Sequence, residues 1–459
     1  MNMTEKLADF VVNLRYEEIP SSVIETQKKS VLDALGITYG ASGLGDGCRE
    51  MVKVAAECAA GGTGEASVIG WGLRLPAVWA AFANASMAHS LDFGDTQMHA
   101  VVHSNASTFP AALAAAEVLG NVSGKQLLTA LVAGSETACR IALGVHEDLE
   151  ARGFYMPPVY TSFGATAAAG KLMGLGREQM VDAFSLNLCQ TTCSAELMNN
   201  SETAVRSIRE AFAAKNALLS ARMAENGVRG FADPLQGKLG FYHAYAGKPG
   251  DEENALSGLG SRFEAGELYF KLWPSCAGTH PAIRILKEMA AVHDMDWNRI
   301  ENIHVVTSVR NRMLMEPLNI RRRPESSIVA KFSIPYTGAL ALLNGTVTLA
   351  DFEESRLKDS RVLELASRFT YEVNPSWEKQ DGMNTEVMVR MEDGAVYRKL
   401  YTENGALQEE PSWGEIEEKY FACAAHAAKP KTKEELVSIA DLVRTLEQLP
   451  EISGWTALL

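Results

Sequence analysis

Small residues recur at every fourth position between residues 123 and 144: Ala130, Gly134, Ala138 and Ala142. Positions four apart lie on one face of an α-helix. A face that carries only small side chains lets the backbone of a second helix come close. This segment therefore predicts a tightly packed helical core rather than a sheet.

Apolar residues keep a helical spacing through about the first 265 residues. Near the start of this region, Ser22 and Glu25 have the spacing of a capping box, and Gly36 stands where a helix C-terminus is expected. The pattern changes near Tyr269, and helical spacing returns after Pro411. We therefore expect the two ends of the chain to build one helical domain.

Between these helical regions, several segments alternate apolar and polar residues, as strands do. Strands are predicted at 303–309, 369–373, 386–391 and 396–401, and helices at 332–343 and 349–367. Asp393-Gly394 predicts a hairpin turn between the last two strands. The predicted fold is mainly α: a large all-helical domain formed by residues 1–268 and 406–459, with a smaller α+β lid domain, residues 269–405, inserted.

Charge and composition exclude some classes of partner. The net charge is −14, whereas nucleic-acid binding needs a basic surface. No apolar run approaches the ~18 residues of a membrane span. The first ten residues include Glu5 and Asp9 and do not have the pattern of a secretory signal, and seven scattered cysteines are too few for a disulfide framework. We expect a cytoplasmic protein that binds neither nucleic acid nor membrane.

The densest group of chemically active residues runs from His89 to His103. It holds three histidines, two aspartates and two hydroxyl side chains within fifteen residues, whereas the whole chain has nine histidines. These residues could simply cap helices and line loops. His99 and His103 could instead share a helical face and bind a metal with Asp92 or Asp95, although the glutamate of the zinc-protease motif is missing. In a third interpretation, His103 is a general acid or base, and Asp92 and Thr96 position the substrate or a proton.

Two further segments contain candidate residues. Lys215 lies among alanines and leucines on a predicted helix, where it either extends to solvent or clamps a carboxylate in a cleft. Lys271, Cys276 and His280 surround a Pro-Ser turn at the point where the fold pattern changes. Such a turn is typical of a connection that lines a cleft, and equally of a structural loop.

Taken together, these residues resemble the MmgE/PrpD family, which includes 2-methylcitrate dehydratase, cis-aconitate decarboxylase and iminodisuccinate epimerase. The resemblance runs nearly end to end. It is carried by Gly61-Gly62, Val68-Ile69-Gly70, residues 85–96, His103, residues 163–167, Ala214-Lys215, residues 273–276 and Lys331-Phe332-Ser333.

The resemblance implies a helical domain with an inserted α+β lid, a site between the two, a homodimer, and no metal or organic cofactor. It assigns Asp92, Thr96 and His103 to the site, matches Lys215 to a lysine of the decarboxylases, and matches Lys271 to the lysine of the lid motif. Two positions depart from the family. Gly94 replaces a common aspartate, and Cys276 replaces a histidine of the decarboxylases, which brings the Trp-Pro-Ser-Cys run closer to the epimerase branch.

The tyrosine that decarboxylases carry after the first lid strand is also missing, and Arg310 and Asn311 lie near that point. These departures favour a reaction other than decarboxylation of cis-aconitate itself.

The expected reaction begins with removal of a proton next to a carboxylate of a small di- or tricarboxylic acid. Lys215 and Lys271 would stabilise the developing charge, and His103 would be the acid or base, with Asp92 as its partner. Thr96 would hydrogen-bond a substrate carboxylate, and Cys276 and His280 are expected to contact substrate. We expect a carbon–oxygen lyase, a dehydratase of 2-methylcitrate-like acids. The alternatives are an iminodisuccinate-like epimerase, a cis-aconitate-like decarboxylase, a metal-dependent hydrolase and a helical scaffold without activity.

Overall fold

The computed structural model describes residues 1–60, 64–200, 203–377, 382–402 and 410–459. The chain divides into two compact units: unit 1, Met1–Phe270 with Pro411–Leu459, and unit 2, Lys271–Glu410. The prediction of a mainly α fold is confirmed. The run Gly61-Gly62-Thr63 and the predicted domain boundary at residue 405 lie outside the described residues.

Unit 1 begins with twelve described helices: α1 (Met3–Asn13), α2 (Ser21–Leu44), α3 (Cys48–Cys58), α4 (Ala77–Ala88), α5 (Ser104–Leu119), α6 (Gly124–Leu143), α7 (Pro157–Leu172), α8 (Arg177–Leu188), α9 (Val205–Ile208), α10 (Glu210–Glu225), α11 (Phe241–Ala246) and α12 (Glu252–Leu256). It also contains two small antiparallel pairs: β1 (Ala66–Val68) with β2 (Leu73–Leu75), and β3 (Thr96–Gln97) with β4 (Leu268–Tyr269).

Helices α6 and α7 pack closely through the small-residue face of α6. A Cβ atom added at Gly134 would lie 2.6 Å from the carbonyl oxygen of Gly164, and one added at Gly164 would lie 2.5 Å from the carbonyl oxygen of Gly134. Ala138 touches the same contact. The close approach predicted from the spacing of small residues is confirmed.

Unit 2 contains five described helices and four strands. In chain order they are α13 (His280–His293), β5 (Ile300–Ser308), α14 (Leu318–Arg322), α15 (Ser327–Lys331), α16 (Ile334–Asn344), α17 (Ser360–Ser367), β6 (Phe369–Asn374), β7 (Thr385–Met391) and β8 (Val396–Tyr401). The strands form one sheet in the order β6-β5-β7-β8, in which β5 and β6 are parallel and the other pairs antiparallel. Gly394 has φ +89°, so the predicted glycine turn between β7 and β8 is confirmed.

The single helix predicted at 349–367 is wrong. A short 3-10 turn covers Leu349–Phe352, and α17 begins only at Ser360. Asp359 precedes α17, and its side chain accepts a hydrogen bond from the backbone N–H of Arg361. An aspartate in this position starts a new helix because it satisfies an N–H that has no partner inside the helix.

After unit 2 the chain returns to unit 1 with α18 (Trp413–Ala424), α19 (Lys433–Arg444) and α20 (Ser453–Thr456). The sequence analysis predicted that α2 ends at Gly36, but the helix continues past this residue. The return of the chain explains why a glycine is found there. A Cβ atom at Gly36 would lie 2.9 Å from the Cα atom of Tyr420 on α18. The glycine therefore lies inside a long helix, where it allows the backbone of a neighbouring helix to come close.

The predicted capping box at Ser22 is also wrong, because α2 begins at Ser21 after Pro20 with no side-chain cap.

No helix in the described part of the chain is both long enough and apolar enough to span a bilayer.

Candidate functional site

The chain between α4 and α5 is held in place by distant parts of unit 1. Thr96 pairs with Tyr269 in the β3–β4 ladder. Gln97 and Val102 exchange backbone hydrogen bonds of 2.8 and 3.2 Å, which closes a short loop. His99 is exposed within that loop, and α5 begins only after His103.

The proposed metal-binding helical face is therefore wrong, because His99 and His103 are not on one helix. Among the described residues, no three histidine, cysteine, aspartate or glutamate side chains are grouped so that they could hold a metal ion.

His103 lies at the N-cap position of α5 and is half-buried. Its Nδ1 atom is 3.0 Å from Oγ1 of Thr96 and 3.0 Å from the backbone carbonyl oxygen of Asp95. A carbonyl oxygen can only accept a hydrogen bond, so this network assigns the proton to Nδ1. In the neutral ring, Nε2 then carries the lone pair, which is the form that a general base requires.

His89 is a site residue to which the sequence analysis gave no role. Its ring centroid lies 4.0 Å from that of His103, at an interplanar angle of 33°. Its Nε2 atom lies 3.5 Å from Oδ1 of Asp92. Asp92 has a φ of +53°, a left-handed conformation that aspartate tolerates better than most residues. The signal in the sequence that could have found His89 is its position three residues before Asp92, because a turn of the chain brings residues at that interval together.

Beneath this cluster, Asp95 has a structural partner. Ser30 on α2 donates a hydrogen bond to Asp95 Oδ2, and Asn105 on α5 donates to Ser30 Oγ at 2.6 Å. The buried Lys419 of α18 forms an ion pair with Asp33 and donates to the carbonyl oxygen of Phe93 at 2.6 Å. These bonds tie the loop to three helices, so the loop geometry is set by the core.

The cavity next to the cluster is small. Gly94, His89, Asp95 and His103 contribute to its wall, and its volume is about 10 Å³. Such a volume holds about one water molecule. In this conformation a ligand larger than a water molecule would therefore have to contact the cluster from outside this cavity.

Lys215 makes no polar contact with this cluster among the described residues. It is half-buried on α10, and its neighbours on that helix face, Phe212 and Leu219, are exposed. In the described part of the chain, no hydrogen bond or ion pair links Lys215 to the aspartate, threonine or histidines of the cluster.

A second buried cation of unit 1 is Arg209, which is only 4% exposed and which the sequence analysis did not single out. Its guanidinium carbon lies 5.2 Å from the centre of the Tyr155 ring, and its Nε is 3.5 Å from Glu210 Oε1. Burial lowers the pKa of Arg209, but the negative charges available at Tyr155, Glu210 and Asp92 outweigh burial, and the pKa is raised. The charge of Asp92 is therefore one of those that stabilise the protonated guanidinium.

The remaining predicted residues belong to unit 2. Lys271 and His280 are buried, and Cys276 is half-buried. His280 starts α13, and its Nε2 lies 3.1 Å from the carbonyl oxygen of Trp273, whose ring it meets edge to face at 5.2 Å. These contacts position the ring of His280 against its own unit.

The backbone of Cys276 is fixed by a hydrogen bond from its N–H to the carbonyl oxygen of Lys331, 2.9 Å long. Arg321 lies within electrostatic range of the Cys276 thiol, and its pKa is lowered because its burial outweighs that interaction. The Cys276 thiol thus has one cationic side chain of unit 2, Arg321, within electrostatic range.

Comparison with known proteins identifies the family. The sequence matches the MmgE/PrpD N-terminal domain over residues 5–254 and the MmgE/PrpD C-terminal domain over residues 273–445. The chain therefore belongs to the MmgE/PrpD family, as its motifs predicted.

Its curated relatives include two cis-aconitate decarboxylases, from Aspergillus terreus and Homo sapiens. Each is 27% identical over all of this chain, and the matches cover 96% and 94% of the relatives. A cis-aconitate decarboxylase from Mus musculus is 25% identical, again over all of this chain and over 93% of the relative.

Proposed function

We propose that this protein is a lyase that decarboxylates an unsaturated tricarboxylic acid of the cis-aconitate type. The observation that carries the proposal is the group formed by Thr96, His103, His89 and Asp92, found in a chain whose compared relatives are cis-aconitate decarboxylases. This ranks decarboxylation above the dehydration of 2-methylcitrate-like acids that the sequence motifs had favoured. In this proposal, Gly94 and Cys276, which differ from the residues common in the family, affect how the substrate fits rather than which reaction takes place.

The proposed reaction breaks the bond between carbon and one carboxylate group. Carbon dioxide leaves, and the electron pair of that bond stays on the substrate, where the double bond and a remaining carboxylate spread its charge. Cationic donors stabilise that charge best when they are fixed in place before the bond breaks. A proton must then reach carbon to give the neutral carbon skeleton of the product.

We assign this proton to His103. The imidazolium form would donate from Nε2 while the Nδ1 hydrogen stays with the carbonyl oxygen of Asp95. Thr96 would hold the ring through Nδ1, and His89 would support it from the face. Asp92 would orient His89 through their 3.5 Å contact. After product release, a proton from solvent would restore the imidazolium.

Lys271, Cys276 and His280 are proposed as substrate-binding residues of unit 2. Lys271 is the cation that would bind a carboxylate, and His280 would act mainly by keeping Trp273 and the turn before Cys276 in place. The role of unit 2 as a closing lid and the homodimer are part of the same proposal. Light scattering of the purified protein tests the homodimer.

Proton NMR in heavy water tests the function, with chelator-treated protein and a panel of cis-aconitate, methylcitrate isomers, citrate and iminodisuccinate. The proposal predicts that cis-aconitate loses carbon dioxide and that one deuterium enters the product at carbon. Loss of water from methylcitrate would establish the dehydratase instead. Deuterium uptake without bond cleavage would establish the epimerase, and no change in any acid would exclude the proposed reaction for this panel.

A further inference from the structure

The Arg209–Glu210 pair is a buried charge pair for which the sequence motifs gave no function. Both residues are buried, at 4% and 0% exposure. Glu210 Oε2 accepts hydrogen bonds from Ser107 Oγ at 2.6 Å and from Thr161 Oγ1 at 3.0 Å. The carboxylate of Glu210 is thus fixed by α5 and α7, and its Oε1 lies 3.5 Å from Nε of the guanidinium.

This pair lies close to the proposed acid–base group. His103 is the N-cap residue of α5, and Ser107 lies on the first turn of that helix, four residues further along the chain. The hydrogen bond from Ser107 to Glu210 therefore places the start of α10 next to the first turn of α5. Tyr155 covers the guanidinium from the other direction, 5.2 Å away.

The guanidinium of Arg209 has donors left over. Among the described residues its Nη1 donates to the carbonyl oxygen of Arg206, and its buried Nε makes no hydrogen bond, although Glu210 Oε1 lies 3.5 Å away. Arginine has five N–H donors arranged to grip a carboxylate with two parallel bonds. A buried donor without an acceptor costs free energy, so such a group calls for an explanation such as a ligand.

We propose that Arg209 binds a carboxylate group of the substrate and supplies the cationic donor that the sequence motifs had assigned to Lys215. This inference rests on the proposed function, because it names the carboxylate contact of that site. Glu210, held by Ser107 and Thr161, is the positioning residue that aims the guanidinium. Asp92 is a further carboxylate whose charge acts on the guanidinium and raises its pKa.

Calorimetric titration with propane-1,2,3-tricarboxylate tests the inference. This saturated acid has the three carboxylates of the substrate type but no double bond, so binding is measured without turnover. Arg209→Gln should weaken its binding at least tenfold, about the value of a lost charge-assisted hydrogen-bond pair. Arg209→Lys should lose less, about three- to tenfold, because lysine keeps the charge but not the fork. Arg222→Gln is the matched control on the same helix, and its binding should stay within about twofold of wild type, since its exposed side chain pairs with Glu225.

Arg209→Gln alone leaves Glu210 buried without its cation and could unfold the protein. The double variant Arg209→Gln/Glu210→Gln removes both charges, and circular dichroism with a thermal melt shows which variants are folded. A folded Arg209 variant that binds the tricarboxylate as tightly as wild type would overturn the inference and make Arg209 a structural counter-ion. Loss of binding in Lys215→Ala with normal binding in the Arg209 variants would also overturn it, as would a wild-type protein that binds no tricarboxylate.

Failure of this inference is separable from failure of the proposed function. Turnover of cis-aconitate that is unaffected in the Arg209 variants would reject the arginine and keep the decarboxylase. Binding that depends on Arg209 without release of carbon dioxide from any acid would keep the arginine and reject the decarboxylase.

Discussion

Thr96 Oγ1 lies 3.0 Å from Nδ1 of His103, the nitrogen that also faces the carbonyl oxygen of Asp95. Because Asp95 presents a backbone acceptor, the arrangement favours the tautomer in which Nε2 carries the lone pair. The threonine hydroxyl is thus a second hydrogen-bond contact to the ring, on the side away from Nε2, the nitrogen that we propose to react.

Removing that hydroxyl should slow the reaction without unfolding the protein. Thr96→Val should lower kcat about tenfold, because one net hydrogen bond to the ring is lost and its orientation loosens. Thr96→Ser keeps the hydroxyl and should retain most of the activity. Steady-state release of carbon dioxide measures both. Equal losses in the two variants would show that the methyl group, not the hydroxyl, matters.

His89 and Asp92 should behave as one unit. Their 3.5 Å contact predicts that His89→Gln and Asp92→Asn each lower kcat/KM, and that the double variant is little worse than either single one. A double-mutant cycle measures the coupling, expected at about 0.5 to 3 kcal/mol for residues in contact. Strictly additive losses would mean that the two residues act separately.

Two glycines provide a matched stability test. Gly134→Ala should lower the free energy of unfolding by about 1 to 3 kcal/mol, because its methyl group would lie 2.6 Å from the carbonyl oxygen of Gly164. Gly94→Ala meets nothing closer than His89 Nδ1 at 3.6 Å, so it should raise that free energy by about 0.4 to 1 kcal/mol by restricting the unfolded chain. Urea denaturation measures both. A destabilised Gly94→Ala variant would mean that the cavity beside His89 needs its empty space.

The cysteines should differ in reactivity. None of the seven forms a disulfide, and Cys58 and Cys189 are exposed. Burial raises the pKa of Cys48 to about 11, and burial also raises that of Cys139 far above its ordinary value. Thiolate is the reactive form. Iodoacetamide at neutral pH should therefore label Cys58 and Cys189 first and Cys139 only after unfolding. Mass spectrometry of the labelled protein measures the order. Early labelling of Cys139 would contradict the packing of α5 against α6.

Local patterns predicted much of this fold. The four-residue repeat of α6 and the alternating strands of unit 2 could be identified because periodicity reports burial directly. The helix end predicted at Gly36 was wrong, because a glycine that allows close approach of a neighbouring helix gives the same local sequence pattern as a glycine at a helix C-terminus. Its partner Tyr420 is remote in sequence, so no local pattern reports the contact.

The candidate site was predictable only in part. The block from His89 to His103 was found by its density of polar residues, but its shape depends on the pairing of Thr96 with Tyr269. The sequence does not show that long-range contact. From the sequence alone, the four-residue interval between His99 and His103 indicated two residues on one face of a helix. Arg209 has no distinctive local motif, and its burial against Tyr155 and Glu210 arises only when α10 packs in the core.

The most direct test compares His103→Ala with His99→Ala in the release of carbon dioxide from cis-aconitate. The two histidines are four residues apart, yet His99 is exposed in its loop while His103 contacts Thr96 and His89. If His103 is the general acid, as proposed, its loss should lower kcat by about 10² to 10⁴, and His99→Ala should keep nearly full activity. Equal activity in the two variants, or a wild-type protein that releases no carbon dioxide, would contradict the account.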